Sequence, residues 1–190
     1  MNDKSLRRWM AVALLLPAMA CGGSKSYQNR NMDFGSIRTI VVMPFWNLSR
    51  DQLAAERVRD VFASSLLATE ATYVVPIGEV NRVVNRLGIA SPSSPSAEEV
   101  VKIGGMLKAE AVITGVVKEY GEVRGGSSSA NVVSVSAQMH ETTTGKVVWS
   151  GTSTKGGLSF GSRLLGTAGG DPINDVTEQA VDDLLKQLLR

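Results

Sequence analysis

The run from residue 37 to residue 45 constrains the fold more than any other stretch of the chain. It reads Ile-Arg-Thr-Ile-Val-Val-Met-Pro-Phe, and its β-branched residues, closed by Pro44, predict a strand that ends at a turn. Because apolar residues follow one another without polar alternation, both faces of this strand must be covered. We therefore expect it to lie inside a sheet.

The rest of the chain supplies the helices and strands that complete such a sheet. Helical spacing of apolar residues predicts helices at 52–69, 79–87, 96–107 and after Asp171-Pro172, and strand patterns occur at 73–77, 110–119, 131–141 and 146–154. The early alternation of strand and helix favours parallel pairing, and the later short connections favour antiparallel pairing. We predict a single α/β domain with a mixed sheet of about five strands, packed by about four helices.

Local signals refine this picture. Ser96 and Glu99 form a capping-box pattern at the start of the third helix, and Gly88 is placed to end the second helix. In the strand at 131–141 the polar residues Ser134, Ser136, Gln138 and His140 alternate with apolar ones, so one face of this strand is expected to be solvated. The Gly- and Ser-rich stretch 156–170 predicts a mobile loop.

The amino-terminal segment has the three-part layout of an export signal. Lys4, Arg7 and Arg8 precede an apolar run at 9–16, and small residues continue to Ala20. The apolar run is about half the length that a membrane-spanning helix needs. We predict a signal peptide at 1–20, a lipidated terminus with a flexible tether at 21–36, and the α/β domain at 37–190.

Cys21 is the predicted site of lipid attachment. The residues Ala18-Met19-Ala20-Cys21 resemble the lipobox of bacterial lipoproteins, in which a peptidase cuts before a Cys that carries diacylglycerol. Alternatively, Cys21 is an ordinary residue after a secretory signal, but it is the only Cys in the chain and would then be an unpaired thiol in an oxidising compartment. Several acyl chains, palmitate among them, would make the anchor durable.

Gly22 bears on the location of the protein, and the charge balance bears on its partners. By resemblance to Gram-negative lipoproteins, Gly22 at the position where Asp commonly signals retention in the inner membrane implies an outer-membrane location. Three of the 20 basic residues and one of the 18 acidic residues lie in the leader, which leaves 17 of each. A neutral domain without a basic tract lacks the phosphate neutralisation on which nucleic-acid binding depends.

The sequence contains no recognisable active site. His140 is the only His, which excludes sites built on two histidines, and its position on a polar strand face is typical of a solvated side chain. No nucleophile elbow or P-loop occurs. Carboxylates are scattered over a loop and two helix surfaces, namely Glu98, Glu99, Glu119, Glu122, Asp182 and Asp183. We therefore predict no catalytic, cofactor-binding or metal-ligating residues.

Two apolar pairs are candidate contacts with a partner or a second copy. Phe45 and Trp46 directly follow the first strand, and Leu164 and Leu165 lie in the Gly-rich stretch. Adjacent aromatic residues at a strand end can anchor an interface. The alternative is that Phe45 and Trp46 close the core over the first helix.

Three stretches together resemble a known superfamily. They are residues 41–49 (Val-Val-Met-Pro-Phe-Trp-Asn-Leu-Ser), 107–115 (Leu-Lys-Ala-Glu-Ala-Val-Ile-Thr-Gly) and 144–150 (Thr-Gly-Lys-Val-Val-Trp-Ser). These motifs resemble the CsgG, PelC and LpoB outer-membrane lipoproteins, whose domain is similar to the amino-terminal domain of TolB. The resemblance covers about residues 37–189.

The resemblance implies a non-enzymatic lipoprotein at the periplasmic face of the outer membrane. CsgG-type members secrete curli subunits, PelC-type members form a ring in exopolysaccharide export, and LpoB-type members activate a peptidoglycan synthase. We expect a scaffold or oligomeric subunit in envelope assembly or export, which binds other envelope proteins. The alternatives left open are a synthase activator and, from another class, an envelope hydrolase with an unrecognised carboxylate site.

Overall fold

The computed structural model describes residues 26–125, 128–157 and 170–190. The predicted export signal, Cys21, Leu164, Leu165 and most of the predicted loop 156–170 lie outside these ranges. The strands are β1 (Tyr27–Gln28), β2 (Thr39–Val42), β3 (Trp46–Asn47), β4 (Tyr73–Val74), β5 (Ala111–Gly125), β6 (Ser128–Glu141) and β7 (Val147–Gly156). The helices are α1 (Ala54–Ala68), α2 (Ile77–Leu87), α3 (Ala97–Leu107) and α4 (Ile173–Leu188).

The seven strands form one mixed sheet in the order β1-β7-β6-β5-β2-β4, with β3 continuing along β5 beyond the end of β2. β2 pairs in parallel with β4 and β5, whereas β5, β6, β7 and β1 pair antiparallel. The predicted single α/β domain with a mixed sheet is therefore confirmed. The parallel pairs lie where strands and helices alternate, as expected from their connections.

Two cores lie on opposite faces of β2. Ile40 and Val42 pack beneath α1 and α4, together with Phe62 and Leu184. Val41 and Met43 point the other way, into a smaller core with residues of α2 and α3. The apolar run of the first predicted strand is thus covered on both faces. None of the helices in the described ranges has the length and apolarity needed to cross a bilayer.

The helix signals in the sequence match the structure. Ser96 Oγ accepts a hydrogen bond from the Glu99 amide at 3.2 Å, and the Glu99 carboxylate accepts one from the Ser96 amide at 2.7 Å, so the capping box is formed. Gly88 follows α2 with φ +64°, a left-handed conformation that glycine adopts without strain.

The sequence prediction was wrong about three parts of the sheet. β1 forms within the predicted tether, where Tyr27 and Gln28 pair with β7. β3 is a further short strand, which begins at Trp46. β5 and β6 also extend beyond their predicted bounds as one longer hairpin, in which Tyr120, just past the predicted end of β5, packs into the larger core.

A buried arginine fixes the end of β2. Arg59 of α1 is 5% exposed, and its Nε and Nη2 atoms donate hydrogen bonds of 3.1 and 2.7 Å to the carbonyl oxygen of Val42. Burial lowers the pKa of Arg59, and the neighbouring carboxylates of Asp60 and Glu56 oppose that shift. The two bonds satisfy a carbonyl at the point where the chain leaves β2 for Pro44.

Two glycines allow α3 to lie close to the β6–β7 turn. A Cβ atom at Gly104 would overlap the side chain of Thr142, whose hydroxyl is held by a 2.6 Å hydrogen bond to the carbonyl of Ala109. Gly145 has φ +71°, and a Cβ there would overlap the backbone of Ala97. This close approach fixes the start of α3 and the loop before it.

Adjacent glycines provide a matched test of this packing. We expect Gly104→Ala to lower the free energy of unfolding by about 1–3 kcal/mol, because the added methyl overpacks the contact with Thr142. A Cβ at Gly105 meets no atom within 4 Å, so Gly105→Ala should raise the free energy of unfolding by up to about 1 kcal/mol through helix propensity. Urea denaturation of both variants measures the difference, and equal effects would contradict the proposed packing.

Candidate functional site

Phe45 and Trp46 lie on opposite sides of the sheet. The ring of Phe45 is 6% exposed and packs edge-to-face on Phe62, with ring centroids 5.8 Å apart. A Cβ at Gly115 would come within 2.7 Å of the Phe45 ring, so only glycine allows this packing on β5. Trp46 begins β3 opposite Val116 and is 48% exposed. The side chain of Trp46 is therefore presented to solvent.

The turn after Trp46 is held by the side chain of Asn47. Its Nδ2 donates to the carbonyl of Asp51 at 2.7 Å, and its Oδ1 accepts from the amide and hydroxyl of Ser49 at 3.0 and 2.8 Å. The Leu48 amide also donates to the carbonyl of Val117. These bonds fix the backbone beside Trp46, so the indole projects from a rigid segment.

Hydroxyl groups cover the face of the sheet next to Trp46. Ser136 pairs with Thr152 and Ser134 pairs with Thr154 across β6 and β7, each with 2.8 Å between hydroxyl oxygens. The alternation predicted for β6 is confirmed, because Val133, Val135, Ala137 and Met139 all lie in the core on the other side. This polar face continues through Gln138, which is exposed.

His140 is bound at both ring nitrogens. Nδ1 lies 3.3 Å from the carbonyl oxygen of Gly145 and Nε2 lies 3.2 Å from Oγ1 of Thr114. A neutral ring satisfies both contacts, with Nδ1–H donating to Gly145 and the Thr114 hydroxyl donating to Nε2. Burial lowers the pKa of His140, partly opposed by the Gly145 carbonyl. The expectation of a solvated side chain was therefore wrong, since the strand's polar face is partly covered here.

The loop before α3 overhangs this polar face and encloses a cleft of about 670 Å³. The floor comes from β5, β6 and β7, Trp46 stands at one side, and the loop supplies Ser91, Ser93, Ser94 and Pro95. The floor residues are Thr114, Gly115, Val116, Ser136, Gln138, His140, Ser150 and Thr152. No charged side chain lines the cleft among the residues that the structure describes.

The lining determines which chemistry the cleft can support. Its described residues offer hydroxyls, one amide, one imidazole and one indole, and none of them is a carboxylate that could act as a general acid or base. Within the described ranges, no group of three or more His, Cys, Asp or Glu side chains is arranged to hold a metal ion. This lining suits the binding of an uncharged polar molecule.

The structure separates the residues that the sequence singled out. Trp46 lies at the cleft and has the exposure that a partner contact needs. Phe45 was predicted as a contact with a partner or a second copy, but it lies in the core. Its ring packs against Phe62 and over Gly115. Cys21, Leu164 and Leu165 are outside the described residues.

Sequence reasoning missed the cleft itself. The polar alternation of β6 signals an uncovered face, and the Ser-Pro-Ser-Ser-Pro stretch at 91–95 signals a loop. The loop lies over the polar face because α3 packs closely against the β6–β7 turn, where Gly104 contacts Thr142. These two residues are far apart in the chain. No local pattern encodes that contact.

A family model for GNA1162-like lipoproteins matches residues 31–186. The search of curated proteins finds no match. The family assignment thus covers most of the chain, including the cleft and both cores.

Among solved structures, a PelC dodecamer from Paraburkholderia phytofirmans has a similar fold, with 19% identity and a TM-score of 0.59 over 88% of this chain and 98% of that one. Lipoprotein GNA1162 from Neisseria meningitidis gives 22% identity and a TM-score of 0.57 over 80% and 98%. The LpoB carboxy-terminal domain from Salmonella enterica gives 15% sequence identity and a TM-score of 0.49, over 66% of this chain and 86% of that one. The resemblances to CsgG and TolB stay predictions.

The neutral state of His140 predicts a dependence of stability on pH. Its pKa in the folded protein lies below the usual 6.5, so between those two values the unfolded chain binds more protons. The free energy of unfolding should therefore fall as the pH drops below about 6.5. Above that pH, His140 is neutral in both states and should cause no such loss. Thermal melts of the wild type and His140→Gln across this range measure the effect, and identical pH profiles would refute the assignment.

Proposed function

We propose that this chain, which belongs to the GNA1162-like lipoprotein family, is a non-enzymatic, lipid-anchored scaffold that works as an oligomeric subunit in envelope assembly or export. The main support is the fold shared with a PelC dodecamer, which extends over nearly the whole of the PelC chain. A protein that acts by binding copies of itself needs a stable folded domain and exposed contact residues. It does not need catalytic side chains.

The proposed non-catalytic role is supported by the described cleft lining, in which no residue is a carboxylate. A glycosidase needs two carboxyl groups on either side of the bond that is cut. The acidic residues of the groove between α1 and α4, Asp60, Glu178 and Asp182, lie away from the cleft, in a smaller space of about 290 Å³. A hydrolase therefore has less support from these side chains than a binding protein.

The proposed location is the periplasmic face of the outer membrane, with the anchor at Cys21. Support comes from the lipobox-like residues 18–21, from Gly22, and from membership of a lipoprotein family. Tyr27 and Gln28 are paired to β7, so only a few residues separate the proposed lipid from the folded body. The domain would thus be held close to the membrane surface.

The anchor has a direct test at Cys21. Replacing Cys21 by Ser should block lipid attachment, leaving the protein uncleaved or released from membranes, because the thiol is the acceptor for diacylglycerol. Intact mass spectrometry of the membrane fraction should find acyl chains on the wild type and none on the variant. A Cys21→Ser protein that stays in the membrane at the normal processed mass would contradict the proposal.

The contact surface that we propose for a second copy lies on the turn between β3 and α1. Leu48 and Leu53 are 61% and 51% exposed there, on a backbone that Asn47 holds in place. Closed rings require two different surfaces on each subunit. Leu164 and Leu165 are the proposed complement, as apolar residues of a separate segment.

Light scattering of the detergent-solubilised protein tests this surface. The wild type should be a closed oligomer, and the double variant Leu48→Arg, Leu53→Arg should shift to smaller species. If the interface buries both leucines, their loss costs about 3 kcal/mol or more of association free energy, which weakens association roughly a hundredfold. Leu67→Arg, at an exposed site near the other end of α1, is the control and should leave the oligomer intact. A monomeric wild type at all concentrations would overturn the proposal and favour the synthase-activator alternative.

A further inference from the structure

We propose that the cleft beneath the 91–95 loop binds a short stretch of neutral oligosaccharide. This inference goes beyond the role as an oligomeric subunit and does not depend on it. It follows from four properties of the cleft, which are its charge, its aromatic wall, its hydrogen-bonding groups and its size.

The described residues of the cleft lining carry no charge. One residue in five of the chain is charged, yet none of the thirteen described residues that line the cleft is Asp, Glu, Lys or Arg. Burial lowers the pKa of His140 and so favours the neutral ring, although the Gly145 carbonyl partly opposes that shift. An ionic ligand would lose hydration without gaining a compensating partner. The described part of the lining therefore favours a neutral ligand.

Trp46 provides a flat apolar wall beside this polar floor. Its indole is about half exposed, on a segment that the Asn47 hydrogen bonds keep rigid. The face of an indole ring is electron-rich and attracts the weakly positive C–H groups of a ligand. A pyranose ring has such a C–H face together with a rim of hydroxyls. It can stack on Trp46 while its rim faces the sheet.

The floor can both donate and accept hydrogen bonds. Serine and threonine hydroxyls do either, and the Gln138 amide offers two donors and an acceptor. Gln138 forms no side-chain hydrogen bond with the other described residues, whereas the Ser136 and Thr152 hydroxyls already bind each other. Sugar hydroxyls also donate and accept, so this lining matches them without a fixed charge. Gln138 is the residue with most capacity left for a ligand.

The volume and the shape favour a saccharide over a peptide. At about 670 Å³ the cleft falls within the range of small-molecule sites, which are on the order of 300–1,000 Å³. A peptide strand gains most of its affinity from the backbone groups of a sheet edge. The cleft instead exposes the face of β5, β6 and β7, whose backbone groups already pair with neighbouring strands.

The test uses the full-length lipoprotein, purified from membranes in a detergent without a sugar headgroup. Calorimetric titration with chitohexaose and with cellohexaose distinguishes an N-acetylated glycan from a plain glucan, and we expect one or both to bind. An anionic oligogalacturonate of similar length should bind at least tenfold more weakly. No heat of binding with either neutral hexamer up to about 10 mM would overturn the proposal.

Variants locate the binding site. Trp46→Ala should raise the dissociation constant at least tenfold, and Gln138→Ala, on a different strand, should raise it several-fold. Tyr73→Ala removes another exposed aromatic residue, one that does not line the cleft, and should leave binding unchanged. Binding that survives both cleft variants, or is lost equally in Tyr73→Ala, would refute the site. Thermal melts confirm that each variant is folded.

Discussion

The double burial of β2 is the constraint on which the rest of the fold depends. Because Ile40 and Val42 face one core and Val41 and Met43 face the other, helices must be supplied to both sides of the strand. The chain does this by placing α1 and α4 on one face and α2 and α3 on the other. Arg59 then satisfies the last carbonyl of β2 from within α1. The position of Phe45 and Trp46 is set by where this strand ends.

The two faces of the sheet have different tasks because the helices do not cover them equally. The face beneath α1 and α4 is apolar from β2 to β7, and its packing supplies most of the core. On the other face, α2 and α3 cover β2 and only part of β5. The remaining strands there carry Ser and Thr, and the loop before α3 turns this bare face into a cleft. The larger core and the proposed binding cleft thus lie on opposite sides of one sheet.

The sequence predicted the elements better than it predicted how they meet. Helices with a clear apolar stripe, and the capping box at Ser96 and Glu99, were placed within a few residues, because the signals are local. β1 and β3 have two residues each and show no periodicity, so neither was predicted. The sides taken by Phe45 and Trp46 depend on Gly115, seventy residues away, whose missing side chain admits the Phe45 ring. Such contacts cannot be read from neighbouring residues.

The pairing of β1 with β7 has a mechanical consequence. A chain anchored at Cys21 has about six residues before Tyr27, which span at most about 20 Å when fully extended. β1 is held by the pairing of two residues with β7 and by the hydrogen bond from the Asn29 amide to the Val148 carbonyl. Its detachment from the sheet edge would therefore break few hydrogen bonds. Met32 packs against the larger core, and release of the chain up to that residue would extend the span to at most about 35–40 Å. If Cys21 carries the proposed lipid, release of this edge would let the body move farther from the bilayer while the larger core stays folded.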